Sequence, residues 1–428
     1  MKNKILKNAS WIIGCKLIKA FLMLIITMIS ARYLGPSNYG LISYAASLVA
    51  FVTPIMKLGL ESTLVYEIVN NPSEEGKIVG TSIAMNFISG ILCLVGVCTF
   101  VFFVNAGEVE TLVVCALYGL SLLFQALEMI QYWFQSKLLS KYSAMAMLIS
   151  YIIVSALQTV ILLTNKNIYL FCLTYSLDFL LIAILLLIIY RKMSTQKLSF
   201  SLKIGKNMLS KSKYYIISTM MVTIFAQTDK IMLKMMIDNS SVGYYTAGVT
   251  CATMFAFVFA AILDSFRPTV FEAKKESDVA FREQMKKLYS ILIYFSLVIC
   301  IFSTVFSPLI IKIMYGNAYN SAIPVLRVIV WYTTFSYLGS ARNIWVMAEG
   351  KQKYLWIMNL SGAILNIVLN LLLIPVYNIM GAAIASLITQ IFTNVIIGFI
   401  IKPIRENNNL MIKALDIRIL KNIFLKKI

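Results

Sequence analysis

Histidine is absent from the 428-residue sequence, and only 13% of the residues are charged. Without histidine the chain lacks the commonest general base and the commonest metal ligand, which weakens an enzymatic interpretation without excluding carboxylate chemistry. Soluble domains have about a quarter of their residues charged and about half apolar. Because 60% of the residues here are hydrophobic, the sequence predicts a chain whose solvent is lipid rather than water.

The cysteines show neither the spacing of a metal site nor that of a disulfide framework. All seven fall within apolar stretches, where cysteine behaves as a small hydrophobic residue. They are Cys15, Cys93, Cys98, Cys115, Cys172, Cys251 and Cys300. We therefore expect no catalytic residues, no metal site and no cofactor.

Long apolar runs fill most of the chain. A membrane-spanning helix needs about 20 mostly apolar residues, so the length allows roughly a dozen spans with short connections. The predicted spans are 9–31, 39–65, 78–104, 111–134, 142–164, 168–190, 208–235, 243–266, 287–311, 321–346, 354–376 and 380–401. We predict an all-α polytopic membrane protein of about twelve transmembrane helices.

The formal net charge of +20 has a topological explanation. Most of the Lys and Arg residues lie between the apolar runs, in the segments that are cytoplasmic if the N-terminus is cytoplasmic. The strongest contributions come from 191–213 and from the tail after Lys402. The charge pattern therefore predicts a multi-pass protein with both termini in the cytoplasm, and no nucleic-acid partner is expected.

The basic connector 191–213 divides the predicted spans into two sets of six. An even number of spans in each half gives both halves the same orientation, so an internal repeat would be parallel, with a central cavity between the halves. The predicted domains are a six-helix lobe at 1–195, a six-helix lobe at 196–402 and a basic cytoplasmic tail at 403–428.

Several basic side chains fall within predicted spans. An ionisable group at membrane depth costs at least a few kcal/mol, so it usually faces a cavity or a partner. Lys16 and Lys19 share one face of the first span, Lys57 lies deep in the second and Lys230 lies in the seventh. We predict that Lys19, Lys57 and Lys230 line a cationic cavity that attracts phosphate groups. The alternatives are snorkelling to the nearest interface and structural ion pairing.

Among the acidic residues within predicted spans, Glu128, Asp178 and Asp229 are the candidates for ion coupling. A carboxylate at this depth can bind a coupling proton or sodium ion. It can equally balance the charge of a lysine in the cavity, and this alternative stays open for each of the three.

Two further spans carry stripes of uncharged polar residues at helical spacing. They are Asn359, Asn366 and Asn370 in the eleventh span and Ser386, Gln390 and Thr393 in the twelfth. Amides and hydroxyls suit sugar hydroxyl groups, and we select Asn366 and Gln390 as substrate-binding candidates. Such residues also hold transmembrane helices together, which is the alternative explanation.

Short strings along the chain resemble one family of transporters. They are Ala31 to Gly40, Leu58-Gly59-Leu60-Glu61, Gln227-Thr228-Asp229-Lys230, Val242-Gly243-Tyr244-Tyr245, Tyr315-Gly316 with Tyr319, Asn366 to Asn370 before Ile374-Pro375, and Gly381-Ala382-Ala383 followed by Thr389. Their order and spacing are similar to those of bacterial polysaccharide repeat-unit flippases. These are the O-antigen and capsule (Wzx-like) branch of the multidrug/oligosaccharidyl-lipid/polysaccharide exporter superfamily.

The resemblance implies two lobes that alternate between inward- and outward-open states in the bacterial inner membrane. It implies transfer of undecaprenyl-pyrophosphate-linked oligosaccharide from the cytoplasmic to the periplasmic leaflet, with H+ or Na+ as a coupling ion. Membrane lipids and polysaccharide polymerase machinery are the other implied partners. Asp229 and Arg32 occupy positions similar to those of the family, and Arg32 is therefore included among the substrate-binding candidates.

Three alternatives remain. A cation-coupled multidrug exporter of the same superfamily would favour a predominantly acidic cavity, whereas basic residues outnumber acidic ones here. A flippase of peptidoglycan precursors would carry a similar charged headgroup. A membrane polysaccharide polymerase or ligase would be an enzyme, for which we would expect a large external loop with catalytic basic residues.

Overall fold

The structure is a computed structural model that describes residues 2–105, 107–164 and 167–420. Within these ranges the chain is almost entirely helical and forms no strand. The predicted all-α fold is therefore confirmed. Contacts divide the chain into two compact units, Met1–Gln227 and Thr228–Ile428, and the boundary falls inside a helix.

The helices of the first unit are α1 (Lys2–Met56), α2 (Leu60–Asn70), α3 (Glu75–Val104), α4 (Val109–Gly119), α5 (Ser121–Gln125), α6 (Ile130–Ser136), α7 (Ser140–Thr164), α8 (Ile168–Met193) and most of α9 (Leu202–Met236). The second unit contains the end of α9, followed by α10 (Asn239–Thr253), α11 (Ala256–Glu276), α12 (Asp278–Val305), α13 (Ser307–Met314), α14 (Ala322–Ala348), α15 (Leu355–Tyr377), α16 (Ile379–Ile391), α17 (Ile397–Ile400) and α18 (Arg405–Lys413).

By length and apolarity, nine helical stretches of the described residues could cross a membrane, or ten if the bent pair α10 and α11 counts as one span. The difference from twelve arises at three places. The stretch Gly14–Met56 contains most of the first and most of the second predicted span, α9 is not among the nine, and α10 and α11 meet at an angle of 43°. The count of twelve stays a prediction.

Two breaks shape the start of the first unit. Gly35 has a φ of 75° and ψ of 172° inside α1, a conformation open to glycine, and Pro36 follows it. The predicted span 39–65 is then interrupted, because Leu58 and Gly59 both have positive φ. A Cβ on Gly59 would lie 2.8 Å from the carbonyl oxygen of Ser212, so close packing also requires glycine there.

The connector that follows α8 lies against the start of α3. Gln196 accepts a hydrogen bond from the backbone N–H of Gly76 at 2.9 Å and donates one to the carbonyl of Pro72 at 2.9 Å. The backbone N–H of Ser201 donates to the hydroxyl of Thr81 at 2.9 Å. The predicted basic connector is thus bound to the first unit on both sides of its extended part.

Two glycines of α3 permit this contact. A Cβ on Gly76 would lie 2.4 Å from the carbonyl oxygen of Lys197, and one on Gly80 would lie 2.5 Å from that of Ser199. Real Cβ atoms do not approach other atoms so closely. Because the two glycines are four residues apart, they form one groove on one face of the helix.

The beginning of the predicted tail 403–428 is a packed helix of the second unit. In α18 the side chains of Asn407, Asn408, Leu410 and Met411 are buried. The hydroxyl of Tyr289 in α12 donates to Asn407 at 2.6 Å. The end of the tail, 421–428, lies outside the described residues.

Candidate functional site

Lys19 of α1 meets Asp178 of α8 inside the first unit. The Lys19 ammonium lies 3.9 Å from an Asp178 carboxylate oxygen and 5.1 Å from the ring centre of Tyr151. The hydroxyl of Ser150 donates to the Asp178 carboxylate at 2.6 Å. Asp178 therefore has a basic partner, as the charge-balance alternative expects, and Lys19 stays partly exposed beside it.

Lys57 lies in the turn between α1 and α2, where its ammonium donates to Glu61 at 2.7 Å. Tyr132 of α6 also hydrogen-bonds Glu61. Glu128 is 7% exposed in the one-turn 3₁₀ helix before α6, and Lys57 and Lys19 are the cations that act on it electrostatically. The first unit thus gathers two predicted lysines and two predicted acids around α1, α6 and α8.

A cavity of about 230 Å³ lies beside Lys19. Lys16 and Lys19 of α1 form one part of its wall, and Gln131 and Gln135 of α6 contribute amides. Ser140 and Ser143, in the first turn of α7, contribute hydroxyls. The cavity belongs to the first unit and combines cationic and neutral polar groups.

Asp229 is the centre of a buried polar cluster in the second unit, with 5% of its surface exposed. One carboxylate oxygen accepts hydrogen bonds from the side-chain amides of Asn370 at 2.7 Å and Asn366 at 3.2 Å. The other accepts from the hydroxyls of Tyr245 and Ser386. All four donors are neutral, which distinguishes this carboxylate from Asp178.

Four helices assemble this cluster. Asn366 and Asn370 are four residues apart on α15 and so share a face, while Tyr245 comes from α10 and Ser386 from α16. The side-chain oxygen of Asn370 has no hydrogen-bond partner among the described residues. A carboxylate surrounded by amide and hydroxyl oxygens can hold a proton or a hard cation, for which oxygen is the preferred ligand.

The described residues contain no group of three or more Cys, Asp or Glu side chains arranged to hold a metal ion. An ion at Asp229 would therefore depend on neutral oxygens for its other ligands. This arrangement suits a transiently bound monovalent ion better than a permanently bound divalent one.

The remaining candidates lie elsewhere. Lys230 is half-buried and follows Asp229 in α9, in the second unit and not the first. Gln390 is buried in α16, where it accepts a hydrogen bond from Asn394 and contacts Tyr332. Arg32 is exposed in α1, just before the break at Gly35.

Arg342 of α14 was not predicted. Its guanidinium is 3% exposed and donates to the carbonyl of Thr393 at 2.7 Å, and its Nε has no hydrogen-bond partner. Within the described ranges no acidic side chain pairs with it. Thr393 lies in a π-helical turn, Phe392–Ile396, and such turns are frequent at functional sites. A basic residue inside an apolar run was the sequence signal that could have identified Arg342.

Comparison with known sequences gives a family match. The sequence profile of a family described as polysaccharide biosynthesis protein matches residues 5–274. The chain is also 28% identical over 228 residues to an uncharacterized membrane protein of Methanocaldococcus jannaschii. That alignment covers 49% of this chain and 44% of the relative, so the chain matches less than half of the relative's length.

Comparison with solved structures shows the fold. The lipid II flippase MurJ in an inward closed conformation has a TM-score of 0.71 at 17% identity, with 97% of this chain and 93% of that chain covered. An inward-facing multidrug resistance MATE family transporter of the MOP superfamily has a TM-score of 0.68 at 13% identity, covering 92% and 96%. The chain thus has the multi-pass membrane fold of this superfamily.

Proposed function

This chain belongs to the polysaccharide biosynthesis protein family, and from that premise we propose that it is a flippase of undecaprenyl-pyrophosphate-linked oligosaccharide repeat units. It moves them from the cytoplasmic to the periplasmic leaflet of a bacterial inner membrane by alternating access. A pyrophosphate carries about two negative charges and does not cross hydrocarbon unaided, because burying an unpaired charge is very costly. The polyprenyl tail stays in lipid while the headgroup passes through the protein.

The cavity beside Lys19 is the observation that carries this proposal. Two ammonium groups, those of Lys16 and Lys19, line it within the candidate span Gly14–Met56. Asp178 is 3.9 Å from Lys19 and offsets part of its charge, whereas Lys16 has no ion-pair partner within the described part of the chain. The cavity therefore offers a net positive wall to a phosphate group.

Lys57 and Lys230 stay in the proposal with different expectations. Lys57 is paired with Glu61 at 2.7 Å, so its charge is largely offset until Glu61 moves or is protonated. Lys230 has no ion pair among the described residues. We expect loss of the Lys19 charge to impair transport more than loss of the Lys57 charge.

The Asp229 cluster supports coupling to a proton or sodium ion. Its carboxylate has neutral donors on both oxygens, and these would turn their oxygens toward a bound cation. Asn366 contacts Asp229 directly, so we place it in the coupling site rather than against a sugar. Asp178 and Glu128, which lie near lysines, are better explained as charge balance.

A cation-coupled multidrug exporter is the second candidate, since the chain shares its fold with a multidrug transporter. A cationic drug would meet repulsion at Lys16 and Lys19, and this argues for the anionic substrate. A polysaccharide polymerase or ligase is the candidate of another class, and the family and fold comparisons favour transport over it.

The deciding experiment is a deletion strain in which lipid-linked repeat units are assayed in each leaflet of the inner membrane. We expect loss of surface polysaccharide and accumulation of linked units on the cytoplasmic side. Complementation with Lys19→Gln should restore little polymer at normal protein abundance, and Lys192→Gln, which changes an exposed lysine away from the cavity, should restore it fully. Normal polymer and leaflet distribution in the deletion strain would refute the flippase function and direct the next assay to efflux of cationic compounds.

A further inference from the structure

The part of the cavity wall that α6 and α7 contribute carries neutral polar groups. Gln131 and Gln135 are four residues apart on α6 and therefore share a face. Neither amide has a hydrogen-bond partner among the described residues, although both line the cavity. Ser143 donates to the carbonyl of Ser140 at 2.9 Å, which leaves its oxygen free to accept.

The local fold holds this wall in place. Leu138 adopts a positive φ of 58° between α6 and α7, so the chain turns sharply and brings the start of α7 beside the end of α6. Trp133 and Phe134 bury the opposite side of α6. Lys137 does not line the cavity, and its ammonium forms an ion pair of 2.7 Å with the buried Glu75. The two glutamine amides are therefore presented by a firmly anchored turn.

The size and chemistry of the cavity favour one class of ligand. The cavity offers about 230 Å³, and because a single water needs only about 10–15 Å³ of such space, it has room for a sugar ring. Each amide supplies a donor and an acceptor, a combination that matches neighbouring hydroxyl or acetamido groups. No acidic side chain is among the residues that line it.

We propose that this cavity recognises the sugar linked directly to the pyrophosphate: Lys16 and Lys19 bind the phosphate, and Gln131 and Gln135 bind the sugar and determine which sugar is accepted. The inference rests on the proposed flippase function and identifies the part of the substrate that the protein recognises. Gln131 is half-buried and Gln135 exposed, and they contribute specificity because a ligand without the matching group would lose the hydrogen bonds that the accepted sugar makes with the two amides.

The test compares two ligands in binding to the purified full-length protein in phosphatidylcholine nanodiscs. One is the lipid-linked repeat unit extracted from the deletion strain, and the other is undecaprenyl pyrophosphate without sugar. We expect the wild-type protein to prefer the sugar-bearing lipid. Gln131→Leu and Gln135→Leu should each lower that preference about fivefold, the value of one hydrogen bond. Lys19→Gln should weaken both ligands alike.

Gln352→Leu, which changes an exposed glutamine far along the chain, is the matched control and should keep the wild-type preference. The inference is overturned if both cavity variants keep the preference, or if they weaken the two ligands equally while eluting as monodisperse protein. Failure of the wild-type protein to bind either ligand would instead overturn the proposed function. The two failures are thus distinguishable.

Discussion

Asp229 is a buried carboxylate and Asp178 a half-buried one, and their neighbours give them different roles. Asp178 accepts from Ser150 and lies near the ammonium of Lys19, so its negative charge is already compensated. Among the described residues, Asp229 accepts hydrogen bonds only from neutral amides and hydroxyls. A carboxylate held in this way can exchange its donors for a cation when one arrives.

We predict that sodium stabilises the wild-type protein through Asp229. Thermal unfolding in detergent should occur at a higher temperature in sodium chloride than in choline chloride, because a ligand at about 100 times its Kd adds about 2.7 kcal/mol. Asp229→Asn should abolish the difference, and Asp178→Asn should retain it. An equal sodium effect in Asp229→Asn, or none in the wild-type protein, would contradict sodium binding at this site.

Arg342 is a buried cation that has no acidic partner among the described residues. Replacing a buried ion pair by apolar groups of similar volume is often neutral or stabilising by about 1–4 kcal/mol, and removal of the Arg342 charge leaves no acidic partner unpaired among the described residues. We predict that Arg342→Met unfolds at the same or a higher temperature than the wild-type protein while its transport falls. Normal transport, or a marked loss of thermal stability, would show that the guanidinium is a structural cross-link to Thr393.

Single residues show how far sequence reasoning reaches. The cost of burying charge identified Lys19, Asp178 and Asp229 as unusual, and all three have specific polar neighbours. The partners of Asp229 could not be derived from the sequence, because Tyr245 and Ser386 are far apart along the chain and come together only through packing. Helical spacing found Asn366, but it could not distinguish a sugar contact from a contact with Asp229.

At the level of elements, the glycine groove of α3 makes a prediction with an internal control. Gly80→Ala should destabilise the protein by about 1–3 kcal/mol, since its Cβ would lie 2.5 Å from the backbone of Ser199. Gly96→Ala in the same helix meets nothing within 4 Å and should stabilise it by about 0.5–1 kcal/mol. Thermal unfolding of both variants measures the contrast. Equal shifts in both would mean that the connector moves aside freely.

The packing of α18 allows a second matched pair. Leu410 is 4% exposed, whereas Ile412, two residues later, is 53% exposed. Leu410→Ala should cost about 2–5 kcal/mol of stability through the cavity it leaves, and Ile412→Ala should stay within about 0.5 kcal/mol. Fluorescence-detected size exclusion after heating gives the comparison. If the two variants behave alike, α18 does not pack as described.

Helices were predictable and their interruptions were not. Each apolar run coincides with one or more helices, because a chain in lipid must satisfy its backbone hydrogen bonds internally. The breaks at Leu58 and Leu138 place a non-glycine residue at positive φ, against the usual preference. The π-helical turn Phe392–Ile396 likewise has no glycine or proline signal.

For the whole molecule, the distribution of charge predicts topology. A green fluorescent protein fused to the C-terminus should fluoresce, and alkaline phosphatase fused after Gly107, between α3 and α4, should be active. The same phosphatase fused after Lys197 should be inactive, because basic connections stay in the cytoplasm. Activity after Lys197 together with a dark C-terminal fusion would reverse the orientation and place Lys16 and Lys19 on the other side of the membrane.

The charge pattern and the packing divide the chain at different places. The predicted boundary at 195/196 follows the basic connector, whereas the contacts separate Met1–Gln227 from Thr228–Ile428. The reason is that the first part of α9 packs with the first unit. Lys211 pairs with the buried Glu67, and Ser212 lies against Gly59. Hydropathy alone carries no information about such contacts.

The seating of the connector in the groove of Gly76 and Gly80 has a consequence for recombination between related genes. A crossover near residue 195 would pair the groove of one parent with the connector of another, and a larger residue at either glycine would prevent the connector from packing there. A chimera with its crossover near residue 227 would inherit groove and connector from the same parent. Chimeras between family members should therefore tolerate a crossover within α9 better than one in the connector that precedes α9, whichever substrate each parent transports.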